Sequence, residues 1–136
     1  MFSFGWPRPW QALRKTGWVL TLAGTVLASG VTEARRSAPE LPVVALAELP
    51  AEAQAMHRLI HVGGPFKYDK DGTVFGNRER SLPSQPRGFY HEYTVRTPGA
   101  RDRGARRIVC GGLPPERPAV CFYTADHYST FRQIKP

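Results

Sequence analysis

Acidic residues and cysteines are scarce in this chain. Its 136 residues include 11 Asp and Glu against 19 Lys and Arg, which gives a formal net charge of +8. That charge favours an anionic partner, although it does not by itself separate nucleic acid, membrane and acidic protein. Only 2 cysteines are present, which excludes a disulfide-dense mini-protein scaffold. A hydrophobic fraction of 41% argues against wholesale disorder, and the length fits a single domain.

The apolar run at residues 17–28 is too short to span a bilayer comfortably, because a spanning helix needs about 20 apolar residues. It follows Arg8, Arg14 and Lys15 in a segment without acids. A basic start, a short apolar run and then small residues are typical of a secretory signal. Residues 1–30 are therefore interpreted as a signal peptide, with cleavage after residue 30 or residue 34. The alternative is an uncleaved membrane anchor.

The two cysteines have two interpretations. In an exported protein, Cys110 and Cys121 are expected to form a disulfide, which contributes about 3 kcal/mol for a loop of this size in the chain-entropy model. The competing interpretation is a zinc site, because His57 and His61 have a metal-like spacing on a predicted helix. That stretch lacks the glutamate of the H-E-x-x-H motif. Neither a metal nor another cofactor is predicted.

One helix is predicted in the exported part. Residues 31–46 lack a clear period and are interpreted as a flexible spacer with a short strand at 43–45. Pro50 suits the first turn of a helix, and Gly63 and Gly64 are expected to end it. Between them, apolar residues recur at helical spacing: Ala51, Ala55, Met56, Leu59 and Ile60.

The remaining chain is predicted to form short strands joined by turns. Segments rich in β-formers occupy residues 73–75, 89–95, 106–110, 121–124 and 131–134. Alternation in the second segment places Tyr93 on one face and Glu92 on the other. Loops of this length favour antiparallel neighbours, so a bridge between the cysteines would join adjacent strands. One helix followed by an antiparallel sheet is the α+β class.

A carboxylate, two arginines and an imidazole are expected to converge on one face of this sheet. Glu92 lies in the middle of a predicted strand, where a carboxylate is unfavourable without partners. Arg107 is also in mid-strand, Arg103 precedes it by four residues, and His127 lies between two strands. A simple ion pair between Glu92 and Arg107 is the structural alternative.

These residue types suit the cleavage of RNA, which carries its own nucleophile in the ribose 2′-OH. Glu92 is the candidate general base for that hydroxyl, and His127 the candidate general acid for the departing 5′-oxygen. Arg103 and Arg107 are candidates to stabilise charge on the phosphate. The rival hypothesis is an RNA-binding or toxin-like module with weak or base-unselective cleavage.

Residues 47–136 resemble the secreted microbial guanyl-specific ribonucleases. The matching segments keep the family's order and nearly its spacing, and they are residues 64–66, 71–79, 90–95, 97–101, 103–108 and 123–128. The resemblance implies one helix packed on a twisted antiparallel sheet, with residues 47–136 as the catalytic domain. It implies the same roles for Glu92, His127, Arg103 and Arg107, and adds Tyr128 beside the phosphate.

The resemblance also implies guanine recognition by residues 75–79. The Glu79 carboxylate would accept two hydrogen bonds from the guanine edge, and backbone N–H groups around Asn77 and Arg78 would bond its O6 side. Phe75 and Arg78 would flank the ring. Adenine has no N1–H donor and would leave that carboxylate facing an acceptor. Gly76 departs from the family's pattern, as does the placement of the two cysteines.

The expected product is first a 2′,3′-cyclic phosphate and then, after hydrolysis, a 3′-phosphate. The expected partners are single-stranded RNA and, by family analogy, a protein inhibitor of the barstar type, whose acidic surface would suit the arginine-rich face. We expect a secreted, extracellular monomer that has no stable membrane association once the signal is removed.

Overall fold

The computed structural model describes residues 40–136, which form one helix and six strands. The predicted signal segment and residues 31–39 lie outside the described residues. The elements in chain order are β1 (Val43–Ala45), a 3₁₀ helix (Leu46–Glu48), α1 (Ala51–His61), β2 (Thr73–Val74), β3 (Tyr90–Thr94), β4 (Arg107–Gly111), β5 (Val120–Thr124) and β6 (Arg132–Lys135). The α+β class is confirmed.

The helix begins and ends close to the predicted residues. The Pro50 carbonyl accepts hydrogen bonds from the N–H groups of Ala53 and Gln54, at 2.9 and 3.1 Å. After the helix, Gly63 takes a φ of +80°, which glycine adopts without the steric cost of a side chain. The N–H of Gly64 then bonds the Leu59 carbonyl at 3.1 Å and closes the last turn.

One face of the helix is buried. Ala53 and Ile60 are buried and Met56 packs against them, whereas Ala51 and Ala55 are exposed. The buried residues follow the spacing i, i+3, i+7, which continues the position of buried Leu49 just before the helix. Short alanines fit either face of a helix, so the apolar spacing in the sequence does not by itself set which face is buried.

The strands form a single sheet in the order β1-β6-β5-β4-β3-β2. Four of its pairings are antiparallel, as predicted, but β1 runs parallel to β6, with Val44 opposite Ile134. Val44 is buried in the core, so the short strand predicted at residues 43–45 is present and belongs to the sheet. A three-residue strand paired with the far end of the chain leaves too little periodicity to predict its direction.

The sheet has two faces of different character. On one, α1 covers a core that includes Tyr93, Ile108 and Tyr123. On the other, a smaller cluster contains Tyr90, Val109 and Phe122. Register places Glu92 beside Val109, so Glu92 belongs to the face that the helix does not cover. The predicted alternation along β3 is confirmed.

The disulfide between Cys110 and Cys121 is confirmed. The two residues lie directly opposite each other on β4 and β5, and both are buried on the helix-covered face. The bridge therefore joins neighbouring strands away from Glu92. Within residues 40–136, no helix has the length and apolarity required to cross a membrane.

Candidate active site

A cleft of about 980 Å³ lies on the sheet face that the helix leaves uncovered. Seven of the residues singled out in the sequence line it, namely Phe75, Asn77, Arg78, Glu79, Glu92, His127 and Tyr128. The two remaining candidates, Arg103 and Arg107, do not line the cleft, but each lies next to a residue that does: Arg103 next to Glu92 and Arg107 next to Tyr128. Residues separated by more than 50 positions in the chain thus share one cavity.

Glu92 is held from two sides in the floor of this cleft. Its Oε2 accepts a hydrogen bond from the Tyr128 hydroxyl at 3.0 Å, and its Oε1 lies 3.7 Å from Nη2 of Arg103. The Glu92 side chain retains 15% of its exposure, so the carboxylate is partly desolvated yet reachable. A carboxylate held in this way is suited to accept a proton from a ligand in the cleft.

Arg103 is fixed by residues that sequence analysis did not single out. Its Nε and Nη2 both donate to the Thr94 hydroxyl, at 3.0 and 2.9 Å, and its guanidinium lies 5.7 Å from the centre of the Tyr68 ring. The same Nη2 also faces the Glu92 carboxylate. Thr94 follows Glu92 by two residues on the same face of β3, a spacing that could have identified it.

Arg107 is buried, with 2% of its surface exposed. Its Nη1 donates to the carbonyls of Arg103, Gly104 and Arg106, at 3.3, 2.9 and 2.8 Å. Its guanidinium lies 5.9 Å from the centre of the Tyr128 ring. Within residues 40–136, its buried Nε has no hydrogen-bond partner. Nη1 of Arg107 therefore holds the loop that contains Arg103 and Gly104.

The ion pair considered between Glu92 and Arg107 is not formed. Arg107 lies opposite Thr94, two residues along the strand from Glu92, and the loop carbonyls occupy its Nη1. Arg103 pairs with Glu92 instead.

His127 lies exposed at the mouth of the cleft. It and Tyr128 take φ angles of 54° and 72°, a left-handed conformation that non-glycine residues adopt rarely. The N–H of His127 donates to the Ala105 carbonyl at 3.0 Å, and the two rings meet edge to face with centroids 4.9 Å apart. This turn brings His127 to the cavity that Glu92 also lines.

A hydrogen-bond network around Asp126 holds this turn. The Thr124 hydroxyl donates to Asp126 Oδ1 at 2.8 Å and accepts from the Tyr128 N–H at 3.2 Å. Asp126 also accepts from the N–H and hydroxyl of Thr130, at 2.8 and 2.6 Å. These bonds, led by the one from the Thr130 hydroxyl, lower the pKa of Asp126 from 3.8 to about 2. Sequence analysis missed this network, although a Thr-x-Asp spacing in a turn is typical of it.

Tyr128 connects the two ends of the cleft. Its ring stacks on Phe75 with centroids 5.2 Å apart and planes inclined by 27°, while its hydroxyl reaches Glu92. Burial, followed by the negative charge of Glu92, raises the pKa of the Tyr128 phenol. The phenol thus remains a neutral donor to the carboxylate.

The loop that carries residues 75–79 is held by the stacking of Phe75 on Tyr128 and by the side chain of Asn77. Asn77 takes a φ of 48°, and its amide bonds both backbone groups of Leu82, donating to the carbonyl at 2.9 Å and accepting from the N–H at 3.0 Å. Because the amide is occupied in this way, Asn77 is left with its backbone N–H for a ligand. Arg78 and Glu79 are exposed beside it.

No metal-binding group emerges from the part of the chain that the structure describes: residues 40–136 contain no cluster of three or more His, Cys, Asp or Glu side chains suited to an ion. The cleft contains instead a carboxylate, an imidazole and arginines, which are proton-transfer and anion-binding groups.

Comparisons with known proteins give one consistent result. The ribonuclease family model matches residues 33–135. Guanyl-specific ribonuclease St of Saccharopolyspora erythraea is 54% identical over 89 residues, which cover 65% of this chain and 83% of that protein. Guanyl-specific ribonuclease Sa of Kitasatospora aureofaciens is 54% identical over 91 residues, which cover 67% and 91%. The crystal structure of ribonuclease Sa2 with guanosine-2′-cyclophosphate is 46% identical, with a TM-score of 0.64, over 71% of this chain and 97% of that one.

Proposed function

The chain belongs to the family of microbial guanyl-specific ribonucleases, and we propose that it cleaves single-stranded RNA on the 3′ side of guanosine without a metal. The observation that carries the proposal is the position of the Glu92 carboxylate, which lies between Arg103 and the Tyr128 hydroxyl in the cleft that His127 also lines. A carboxylate with an arginine beside it and an imidazole on the same cavity support this proposal, because the reaction needs a base, an acid and an anion-stabilising donor.

In the first step, Glu92 removes the proton of the ribose 2′-OH. The 2′-oxygen then bonds to phosphorus while the bond to the 5′-oxygen of the next nucleotide breaks, and His127 protonates that leaving oxygen. Arg103 and Arg107 stabilise the charge that gathers on the phosphate oxygens. The products are a guanosine 2′,3′-cyclic phosphate end and a free 5′-hydroxyl.

In the second step the two groups exchange roles. His127, now neutral, removes a proton from water, and Glu92, now protonated, returns its proton to the 2′-oxygen as the ring opens. A 3′-phosphate results, and both residues regain their starting protonation states. A DNA substrate cannot react because it lacks the 2′-OH.

Guanine recognition is assigned to the loop of residues 75–79. The Glu79 carboxylate accepts from the N1–H and exocyclic amino group of guanine, while backbone N–H groups at Asn77 and Arg78 bond O6. Phe75 and Arg78 flank the base. The left-handed Asn77 and its bonds to Leu82 support this role, because they hold the backbone of the loop in one conformation before a ligand arrives.

The direct test is incubation of the purified protein with GpC and ApC in the presence of a chelator. We expect release of cytidine from GpC, with guanosine 2′,3′-cyclic phosphate appearing before the 3′-phosphate. Equal cleavage of both dinucleotides would show that Glu79 does not select guanine. Binding of RNA without cleavage of either would replace the proposal with an RNA-binding module.

The role of His127 has its own test. His127→Ala is expected to slow GpC cleavage by about 10²-fold or more. The same variant should lose far less of its cleavage rate on guanosine 3′-(p-nitrophenyl phosphate), because a nitrophenolate departs without being protonated. An equal loss on both substrates would show that His127 is not the general acid.

We further propose that the enzyme is secreted. The disulfide supports this, because such bridges form and persist in oxidising compartments, and so does the signal-like pattern of residues 1–30. Mass spectrometry of protein recovered from the culture medium of an expressing cell tests it. A polypeptide that begins at residue 31 or 35 is expected, whereas a full-length chain in the membrane fraction would indicate an anchored nuclease.

The proposal extends to a monomer that a barstar-type acidic inhibitor blocks at the cleft. The positive side chains that line the cleft, Arg78 and Arg87, suit an acidic protein surface. Light scattering of the purified enzyme, with and without such an inhibitor, tests both statements. A dimer alone, or an inhibitor that binds while GpC cleavage continues, would contradict them.

A further inference from the structure

One wall of the cleft has no role in the proposed reaction. Residues 85–88 line the same cavity as Glu92 and His127, yet neither guanine recognition nor proton transfer uses them. This wall comes just before β3 in the chain. Along β3 the extended backbone covers about 7 Å from Tyr90 to Glu92, so the wall is separated from the proposed cleavage site at Glu92 by at least that length of strand.

The wall is a fixed turn with an arginine at its tip. The N–H of Phe89 bonds the Pro86 carbonyl at 3.1 Å, and Gly88 takes a φ of +87°, as the third residue of a type II turn requires. The next strand residue, Tyr90, is buried and its hydroxyl donates to the Pro83 carbonyl at 2.7 Å. Arg87, between Pro86 and Gly88, is thus exposed from a well-supported backbone.

Arg87 has no acidic partner in the described structure. Across residues 40–136, the one side-chain ion pair joins Arg103 and Glu92. An arginine presented by a rigid turn keeps its planar donor fork free, and that fork matches the geometry of a phosphate. Its uncharged neighbours in the wall, Gln85 and Pro86, do not compete for it.

We propose that Arg87 forms a second phosphate-binding site, which holds a phosphodiester of the RNA chain one or more nucleotides away from the cleaved bond. The inference rests on the proposed ribonuclease function and adds a preference for chain length. A dinucleotide has one phosphodiester, which Arg103 and Arg107 engage, so it leaves Arg87 empty. A longer RNA fills both sites.

The test compares substrates of two lengths with a matched control variant. Arg87→Gln is measured on GpC and on a pentanucleotide with one central guanosine. Arg132→Gln is the control, because Arg132 is also exposed but lies over Tyr123, on the helix-covered face. Melting temperatures of both variants establish that they fold.

We expect Arg87→Gln to lower kcat/KM for the pentanucleotide about tenfold more than kcat/KM for GpC. The salt dependence of pentanucleotide cleavage should become less steep by about 0.7 in the log–log slope, the value for one contact to single-stranded nucleic acid. Trinucleotides extended on the 5′ or the 3′ side of guanosine then show which flanking phosphate responds, and a response of either one supports the site.

Two results would overturn the inference. One is an equal loss of kcat/KM for the pentanucleotide in Arg87→Gln and Arg132→Gln, which would show that the effect comes from the net charge of the protein and not from a site at Arg87. The other is an equal loss on GpC and the pentanucleotide, which would place Arg87 at the cleaved phosphate. Failure of the wild type to cleave GpC would refute the proposed function itself, so the two failures are distinguishable.

Discussion

The two halves of the cleft are built in different ways. The half assigned to chemistry stands on paired strands, where register fixes Glu92 beside Val109 and Arg107 opposite Thr94. The half assigned to base recognition is a loop without ladder pairing, held by the stacking of Phe75 and by the amide of Asn77. The difference indicates that rate and base choice are separable properties of this enzyme, one set by the sheet and the other by the loop.

The largest effect should come from the sheet half. Glu92→Gln keeps the shape of the side chain and removes its basicity, so we expect the rate of cyclisation to fall by about 10² to 10⁴. The ratio of kcat/KM for GpC to that for ApC should stay near the wild-type value. A variant that kept near-normal turnover would show that another group is the base.

The loop half should respond in the opposite way. Glu79→Ala removes the acceptor of two hydrogen bonds, and we expect the GpC to ApC ratio of kcat/KM to fall by about 10². ApC cleavage itself should change little. Glu40→Ala, which removes an exposed carboxylate at the far side of the sheet, is the matched control. Equal losses on GpC and ApC would mean that Glu79 has only a structural role.

A smaller effect should follow from loosening the loop without touching its ligand groups. Asn77→Ala leaves the backbone groups of buried Leu82 unpaired, at a cost of about 1–3 kcal/mol in the free energy of unfolding. Because the loop would then be less well ordered before guanine binds, the ratio of kcat/KM for GpC to that for ApC should fall by roughly tenfold. Asn77→Asp keeps the bond from the Leu82 N–H and should give an intermediate ratio. An unchanged ratio in Asn77→Ala would show that the loop needs no such support.

The smallest effect concerns the turn that carries His127. Because the pKa of Asp126 is lowered from 3.8 to about 2 in the folded protein, its charge stabilises the fold above pH of about 4, and that contribution is lost as pH falls towards 2. The difference in unfolding free energy between wild type and Asp126→Asn should therefore be constant above pH of about 4 and shrink below it. A difference that is independent of pH would contradict the network.

The sheet half could largely be predicted from the sequence, because strand alternation is a local pattern. Alternation along β3 was enough to separate Glu92 from Tyr93, and the two cysteines had one possible intramolecular pairing. The pairing of β1 with β6 could not be predicted, since it joins the two ends of the described chain through only three residues.

The loop half could not be predicted from residue patterns. Glu79 and Arg78 are ordinary exposed loop residues, and only the resemblance to known ribonucleases gave them a role. Arg87 carried no signal either, because its significance comes from the cleft that the folded chain creates. In the sheet half, the supports Thr94 and Asp126 were missed although each left a local signal, namely a strand face shared with Glu92 and a Thr-x-Asp turn.

The most direct test of the two-part account is the double variant Glu79→Ala/Glu92→Gln, assayed on GpC beside both single variants. If the halves act independently, their free-energy losses should add to within about 0.5 kcal/mol. A double variant no slower than Glu92→Gln alone would show that the two carboxylates act as one unit, and would contradict the separation of rate from base choice.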